Sequence, residues 1–256
     1  MKRLVKPTPV HEGDKVAVLS PAWAAPAYFP AIHEQAMRRL EEIFGLEVVE
    51  YPTTRALGAS PEERARDVNA AFADPEIRAL VSTIGGDDQI RILRHLDPTL
   101  PLANPKPFFG YSDNTNLSNW LYAQGLSSYY GGSTQVHLGS GPTVDSEHVA
   151  SLRAALTGTG DITYTLPADS QDYGFDWSEE RALTEASPRE ASAPYEFYGA
   201  KIRVRGRTWG GCLEVLDQLA WADRLPDPAE LEGAILMCET SEMLPSPDLC
   251  LLYTSP

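Results

Sequence analysis

Three cysteines in 256 residues (Cys212, Cys238 and Cys250) are too few and too scattered for a disulfide framework, and none stands in the C-x-x-C spacing of a metal site. Such cysteine usage fits a reducing cytoplasm. Basic residues are also scarce. Against 36 Asp and Glu stand 21 Lys and Arg, and the net charge of −15 excludes the basic face that nonspecific nucleic-acid binding needs. No apolar run reaches the roughly 18 residues of a membrane span. The opening stretch MKRLVKPTPVHEGDKVAVLSP has prolines where a signal peptide would carry its apolar core. The sequence therefore predicts a cytoplasmic chain with no membrane or nucleic-acid partner, no metal and no cofactor. Histidine is rare too: His11, His33, His95, His137 and His148 are all there are.

Hydrophobic residues make up 43% of the chain, enough for a sizeable core. They are arranged as alternating strands and helices. KVAVLS (15–20) is a short apolar strand. Residues 30–44 place Ile32, Ala36, Leu40 and Ile43 on one helical face, and Gly45 ends that helix. LEVVEY is the next strand. Residues 60–73 open with Ser60, Pro61, Glu62 and Glu63, a helix-start signature. ALVSTI (79–84) runs into Gly85-Gly86-Asp87-Asp88 and the helix QIRILRHL. This alternation predicts a parallel sheet with helices on both faces, whose ligands sit beyond the carboxyl ends of the strands.

The chain is organised around residues 107–135, PFFGYSDNTNLSNWLYAQGLSSYYGGSTQ. Pro107, Phe108 and Phe109 form an apolar strand, Gly110-Tyr111-Ser112-Asp113 a sharp turn, and Leu117, Leu121 and Leu126 the stripe of a following helix. Free N–H groups and the helix dipole favour negative charge at such a junction, which suits a serine nucleophile whose attack creates an oxyanion. The turn differs from G-x-S-x-G, because Asn114 stands at the second glycine. On spacing alone, Ser112 is either a nucleophile or, with Asp113, a helix cap.

Beyond residue 157 the alternation stops. The polar stretch to residue 200 is too long for an ordinary connection and reads as a functional loop or linker. KIRVRG then reads as an edge strand, Gly210-Gly211 as the opening of a helix with Leu213, Leu216 and Leu219 inward, and AILMCE (234–239) as a buried strand ending on Glu239. The expected division is 1–165, an α/β nucleophile domain; 166–200, a substrate loop or linker; and 201–256, the start of a second domain.

Four segments, VAVLSPA, STIGGDDQIRIL, KPFFGYSDNTNL and GRTWGGCLEVL with GAILMCETSE, together resemble the LD-carboxypeptidase family of serine peptidases, in its microcin C self-immunity (MccF-like) branch. The resemblance spans residues 16 to about 247. It implies an α/β fold with a flavodoxin-like parallel sheet in the N-terminal domain and an incomplete second, swivelling β/α domain. It implies Ser112 as nucleophile, Glu239 as the triad acid, and an oxyanion hole from the amides of Gly86 and Asp113, with Gly85 and Trp177 in contact with substrate. Glu242 and then Glu214 are the next candidates for the acid. The substrate it implies is a small peptide or aminoacyl-nucleotide, cleaved at the amide between an acidic amino acid and a nucleotide-like group, by a homodimer. ETSE and an aromatic loop around Trp177 favour this branch over the muropeptide carboxypeptidases. Arg181 and Arg189 are further candidates to pair with an acidic substrate group.

The sequence departs from the family in three places. The family's general base is a histidine several dozen residues beyond the acid, and no histidine follows Glu239. His33 and His95 fall in predicted helices and are expected to be solvated, while His137 is the nearest substitute by sequence. Trp209 and Cys212 stand in the WGG segment where other residues are usual. The closing LCLLYTSP does not continue as the family does, so the native frame is expected to end near Asp248, leaving the second domain cut. A non-catalytic module that binds a small ligand is the competing reading.

Overall fold

The computed structural model describes residues 3–158, 161–171, 174–200 and 202–241. Strand β1 (Lys15–Leu19) leads through a short helix α1 (Ala25–Tyr28) to α2 (Pro30–Phe44), which buries Ile32, Ala36 and Leu40 along one face. Gly45, at φ 69°, ends α2, and β2 (Glu47–Glu50) follows. Helix α3 (Pro61–Ala73) begins at a complete capping box. The Glu63 amide donates to Ser60 Oγ at 3.2 Å, and the Ser60 amide to the Glu63 carboxylate at 2.8 Å. Next come β3 (Ile77–Ser82), a 3₁₀ helix over Gln89–His95, α4 (Leu100–Ala103) and β4 (Phe108–Gly110). A 3₁₀ turn at Ser112–Asn114 feeds α5 (Thr115–Gln124), followed by β5 (Tyr129–Tyr130), α6 (Thr134–His137) and α7 (Ser146–Thr157).

The five strands pair in the order β2-β1-β3-β4-β5, every pair parallel. This is the flavodoxin-like order. Alternation along β1 splits the core into two layers. Ala17 and Leu19 face α3, α5, Phe72, Phe108 and Leu117; Val16 and Val18 face α2, α7, Phe109 and Leu152. Covering both faces explains why these strands read as nearly continuous apolar runs.

The described residues of segment 161–200 are more ordered than an unstructured connection. The segment holds α8 (Arg181–Thr184) between β6 (Asp169–Ser170) and β7 (Glu190–Ala191), which pair antiparallel. It is docked on the sheet domain. Ala182 is buried and its carbonyl accepts from the Gly141 amide at 2.7 Å. Arg189, a candidate for a substrate acid, is instead bound by Asp145 and Asp169, and Arg181 lies over the Phe175 ring beside Glu185.

The last described part comprises β8 (Thr208–Cys212), α9 (Leu213–Trp221) and β9 (Ile235–Glu239), with β8 and β9 parallel. Leu216 and Leu219 of α9 join the same core layer as Leu117 and Leu121.

Several expectations need correction. KIRVRG forms no strand over its described residues 202–206, and Ile202 and Val204 are exposed. The strand is TWGGC instead. Gly210-Gly211 lie within it and do not open the helix. A Cβ on Gly210 would fall 2.1 Å from Met237 O, and one on Gly211 2.6 Å from Thr115 Oγ1, so only glycine lets β8 approach both neighbours. AILMCE is a strand but not a buried one: Leu236 is 63% exposed and Met237 59%. Its apolar run specifies a strand, but burial needs a covering layer, and among the described residues none lies over it. Leu126 is buried but follows the Gly125 cap, in a bridge with Val5 rather than in α5. QIRILRHL is 3₁₀ rather than α-helix. His33 is fully buried, not solvated, because it lies on the inward side of α2 with Ala36 and Leu40. Glu242 and residues 249–256 lie outside the described residues.

Candidate active site

Strand β4 ends at Gly110, where a Cβ would fall 2.9 Å from Asn114 Cβ, so the chain can fold back at once. Tyr111 stays extended, and Ser112 then takes φ +60°. A serine in this left-handed region costs of order 1–3 kcal/mol, a strain that persists only where the surroundings over-determine it. They do so here. Asp113 turns its carboxylate inward, where it accepts from the Gln89 amide at 2.9 Å and from Asn116 Nδ2 at 2.8 Å. Asn114 donates to the carbonyls of Ile84 and Tyr111 at 3.1 Å each and accepts from Gln89 Nε2 at 2.8 Å. Gln89 Oε1 accepts the Leu117 amide at 3.0 Å. Asp113, Asn114 and Gln89 are all buried, so this network joins the glycine loop to the serine turn. Neither Ser112 nor Asp113 caps α5 through its side chain; the N-cap is Asn114.

Burial pushes the Asp113 carboxyl up to about 6, with Asp88 and Asp87 adding to the effect and the two N–H donors opposing it. Asp88 is itself held by Arg64, whose Nη atoms reach its two oxygens at 2.8 and 2.9 Å.

Gly85 lies directly against the serine. A Cβ there would fall 3.0 Å from Ser112 Oγ and 3.3 Å from the Asp113 amide nitrogen. Gly86 is the next residue, against Ala22 and the Trp23 amide. Neither Gly86 N–H nor Asp113 N–H donates to another described residue. Beyond Gly86 opens a cavity of about 250 Å³ lined by Trp23, Tyr28, Leu57, Arg64, Asp87 and Asp88 among others. Trp177 reaches this side through aromatic contacts. Its ring meets Phe29 edge-on at 5.4 Å, and Phe29 meets Trp23 at 6.2 Å. The sequence offered Trp177 by residue type alone; Phe29, Trp23 and Tyr28 it did not single out.

Glu239, at the carboxyl end of β9, comes to the serine turn through one residue that sequence reasoning missed. Tyr130 Oη donates to Glu239 Oε1 at 2.7 Å and accepts the Ser112 amide at 3.1 Å. Tyr130 is one of 11 tyrosines and carried no distinguishing signal. Glu214, the weaker candidate for the acid, lies apart from this contact. It accepts the Cys212 thiol at 3.1 Å and the Ser241 amide at 3.0 Å. Burial and Glu214 push that thiol up to about 12, so Cys212 is no nucleophile at neutral pH.

His137 stacks on Tyr111, with ring centroids 5.2 Å apart, and meets His148 edge-on at 4.4 Å. Burial, aided by His148, pushes it down to about 3, so it is neutral at pH 7. No described imidazole bonds to Ser112. Among the described residues no three His, Cys, Asp or Glu converge to hold a metal ion, and no helix is long and apolar enough to cross a membrane.

The chain is similar to several known proteins. Residues 16–131 match the profile of the LD-carboxypeptidase N-terminal domain. A putative carboxypeptidase of Vibrio cholerae is 31% identical over 235 residues, covering 90% of this chain and 68% of that protein. The microcin C7 self-immunity protein MccF of Escherichia coli is 34% identical over 183 residues, covering 70% of this chain and 52% of its own length. A solved structure of MccF in complex with glutamyl sulfamoyl guanosine superposes with a TM-score of 0.82 at 28% identity, over 91% of this chain and 70% of that one.

Proposed function

The chain belongs to the LD-carboxypeptidase family, and on that premise we propose that it is the nucleophile-bearing part of a serine peptidase or amidase. Its substrate is a small peptide or aminoacyl-nucleotide, cut at the amide between an acidic amino acid and a nucleotide-like group. Ser112 Oγ attacks the carbonyl carbon, and the amides of Gly86 and Asp113 receive the oxyanion. Glu239 orients the imidazole that takes the serine proton and returns it to the leaving amine. The family resemblance makes that base a histidine beyond the acid, and no histidine follows Glu239 in these 256 residues. The nucleotide-like group takes the aromatic side of the site, where Trp177, Phe29 and Trp23 follow one another, and the assembly is a homodimer.

One observation carries this reading. Ser112 holds a strained φ of +60° at the end of a buried parallel strand, with Gly85 against its Oγ. A helix cap needs neither the strain nor the contact. The decisive experiment is fluorophosphonate labelling of the natural full-length protein. Label is expected on Ser112 and lost in Ser112→Ala; a full-length protein that takes no label would overturn the hydrolase reading and leave a ligand-binding module. The muropeptide reading draws on the family profile itself, and product analysis separates the two. Cleavage of an aminoacyl sulfamoyl nucleotide, with an L–D muropeptide left intact, supports our reading; the reverse sinks it.

A further inference from the structure

We propose that Tyr130 is a positioning residue, one that ties the strained serine turn to the acid on β9. This rests on the serine-hydrolase reading above, and it adds a residue that the family motifs do not mark.

The argument is one of proton order. An ionised Glu239 carboxylate can only accept, so the 2.7 Å contact obliges the Tyr130 hydroxyl to donate. Its oxygen is then an acceptor. The Ser112 amide, which can only donate, fills it at 3.1 Å. Thr115 Oγ1 lies 3.3 Å from the same oxygen and itself accepts the Cys212 amide at 2.9 Å, so its proton also points at Tyr130. A single order satisfies every group: Cys212 N–H to Thr115, Thr115 O–H to Tyr130, Tyr130 O–H to Glu239, with Ser112 N–H joining at the tyrosine. Burial of the hydroxyl, with Glu239 nearby, raises its pKa further, which keeps it protonated as a donor throughout the physiological range.

Two consequences bear on the reaction. The Ser112 backbone is fixed by its own N–H, which holds the φ of +60° that presents Oγ. Glu239 is engaged through Oε1, leaving Oε2 for an imidazole. β5, α5, β9 and the 3₁₀ turn at Ser112–Asn114 meet at this one hydroxyl, and β8 joins through Thr115, so it also registers the second part of the chain on the first.

The test is Tyr130→Phe in the natural full-length protein, read by the concentration dependence of fluorophosphonate labelling. The maximal labelling rate is expected to fall about 30-fold, the size of losing one hydrogen bond to a charged group. The concentration for half-maximal rate should stay within about twofold, because probe binding is untouched. Combining Tyr130→Phe with Glu239→Ala should lose clearly less than the product of the two single losses, since both remove the same Tyr130–Glu239 hydrogen bond. A Y130F protein that labels at the wild-type rate, or losses that simply multiply, would overturn the inference. Should Y130F fail to fold, Thr115→Val removes the upstream donor together with the acceptor of the Cys212 amide and should lower the rate about threefold, with no change again refuting it. A wild-type protein that takes no label sinks the hydrolase reading and this role with it; a labelled wild type with an equally reactive Y130F sinks this inference alone.

Discussion

Ser112 and Glu239 reach one hydroxyl from opposite kinds of ground. The serine stands just past the carboxyl end of β4, whose Phe108 and Phe109 are buried on both faces of a five-stranded sheet. The glutamate stands on β9, paired among the described residues on one side only and exposed along most of its length. The difference shows how a site divides its demands. The nucleophile's strained backbone needs a scaffold that cannot relax, and a doubly covered parallel sheet supplies it. The acid needs only to be aimed, and here a strand end and one tyrosine hydroxyl aim it. The sheet domain thus carries the stability and the β8–β9 part carries an adjustable component.

If that contrast is right, the largest effect belongs to the sealed side. Phe108→Ala should cost about 3–5 kcal/mol in urea unfolding, and a cost near 1 kcal/mol would mean that the layer beneath the serine is not closely packed.

The Asp113 anchor comes next. Its pKa is raised in the folded state, from 3.8 to about 6, so the folded protein keeps a proton that the unfolded chain releases. Stability from this group is therefore present below about pH 4 and lost as pH rises through about 6, by at most about 3 kcal/mol. Asp113→Asn should flatten that part of the stability–pH curve while loosening the turn, since an amide cannot accept from both Gln89 and Asn116 as the carboxylate does. An unchanged slope between pH 4 and 6.5 would show that the carboxylate is not buried as described.

Gly211→Ala tests the seam between the two regions. A methyl there meets Thr115, on a backbone at φ +137° that only glycine adopts freely. It should cost about 1–3 kcal/mol and speed hydrogen exchange at the Cys212 amide, which Thr115 accepts. Exchange no faster than wild type would mean that β8 does not depend on this close approach. The smallest effect is expected at Leu236, where Leu236→Ser should change stability by no more than about 0.5 kcal/mol. A larger loss would mean that something covers β9 in solution.

Much of the sheet domain was legible before any coordinates. Periodicity set α2 to the residue, the capping box at Ser60 set the start of α3, and the apolar runs set β1, β3 and β4, because local chemistry governs helix ends and strand runs. The site was legible in part. Ser112 and Gly85-Gly86 follow recognisable motifs at strand ends, but Tyr130, Gln89 and Thr115 carry no local signal. They matter through partners 15 to 109 residues away. The WGG glycines read locally as a helix start because what selects them, a positive φ at each and close distant atoms, is set by the tertiary structure. Those atoms belong to Thr115 and Met237, on either side.

By itself the sequence determined the order of β1, α2, β2, α3, β3 and β4, the turn that bears the serine, and the family to which both belong, since each depends on residues close together in the chain. Only the tertiary structure decided that Ser112 sits at positive φ against Gly85, that β9 lies open, and that Glu239 meets the serine turn at Tyr130. Those outcomes turn on the close approach of distant segments, and no local pattern in a chain records which distant atom its backbone will meet.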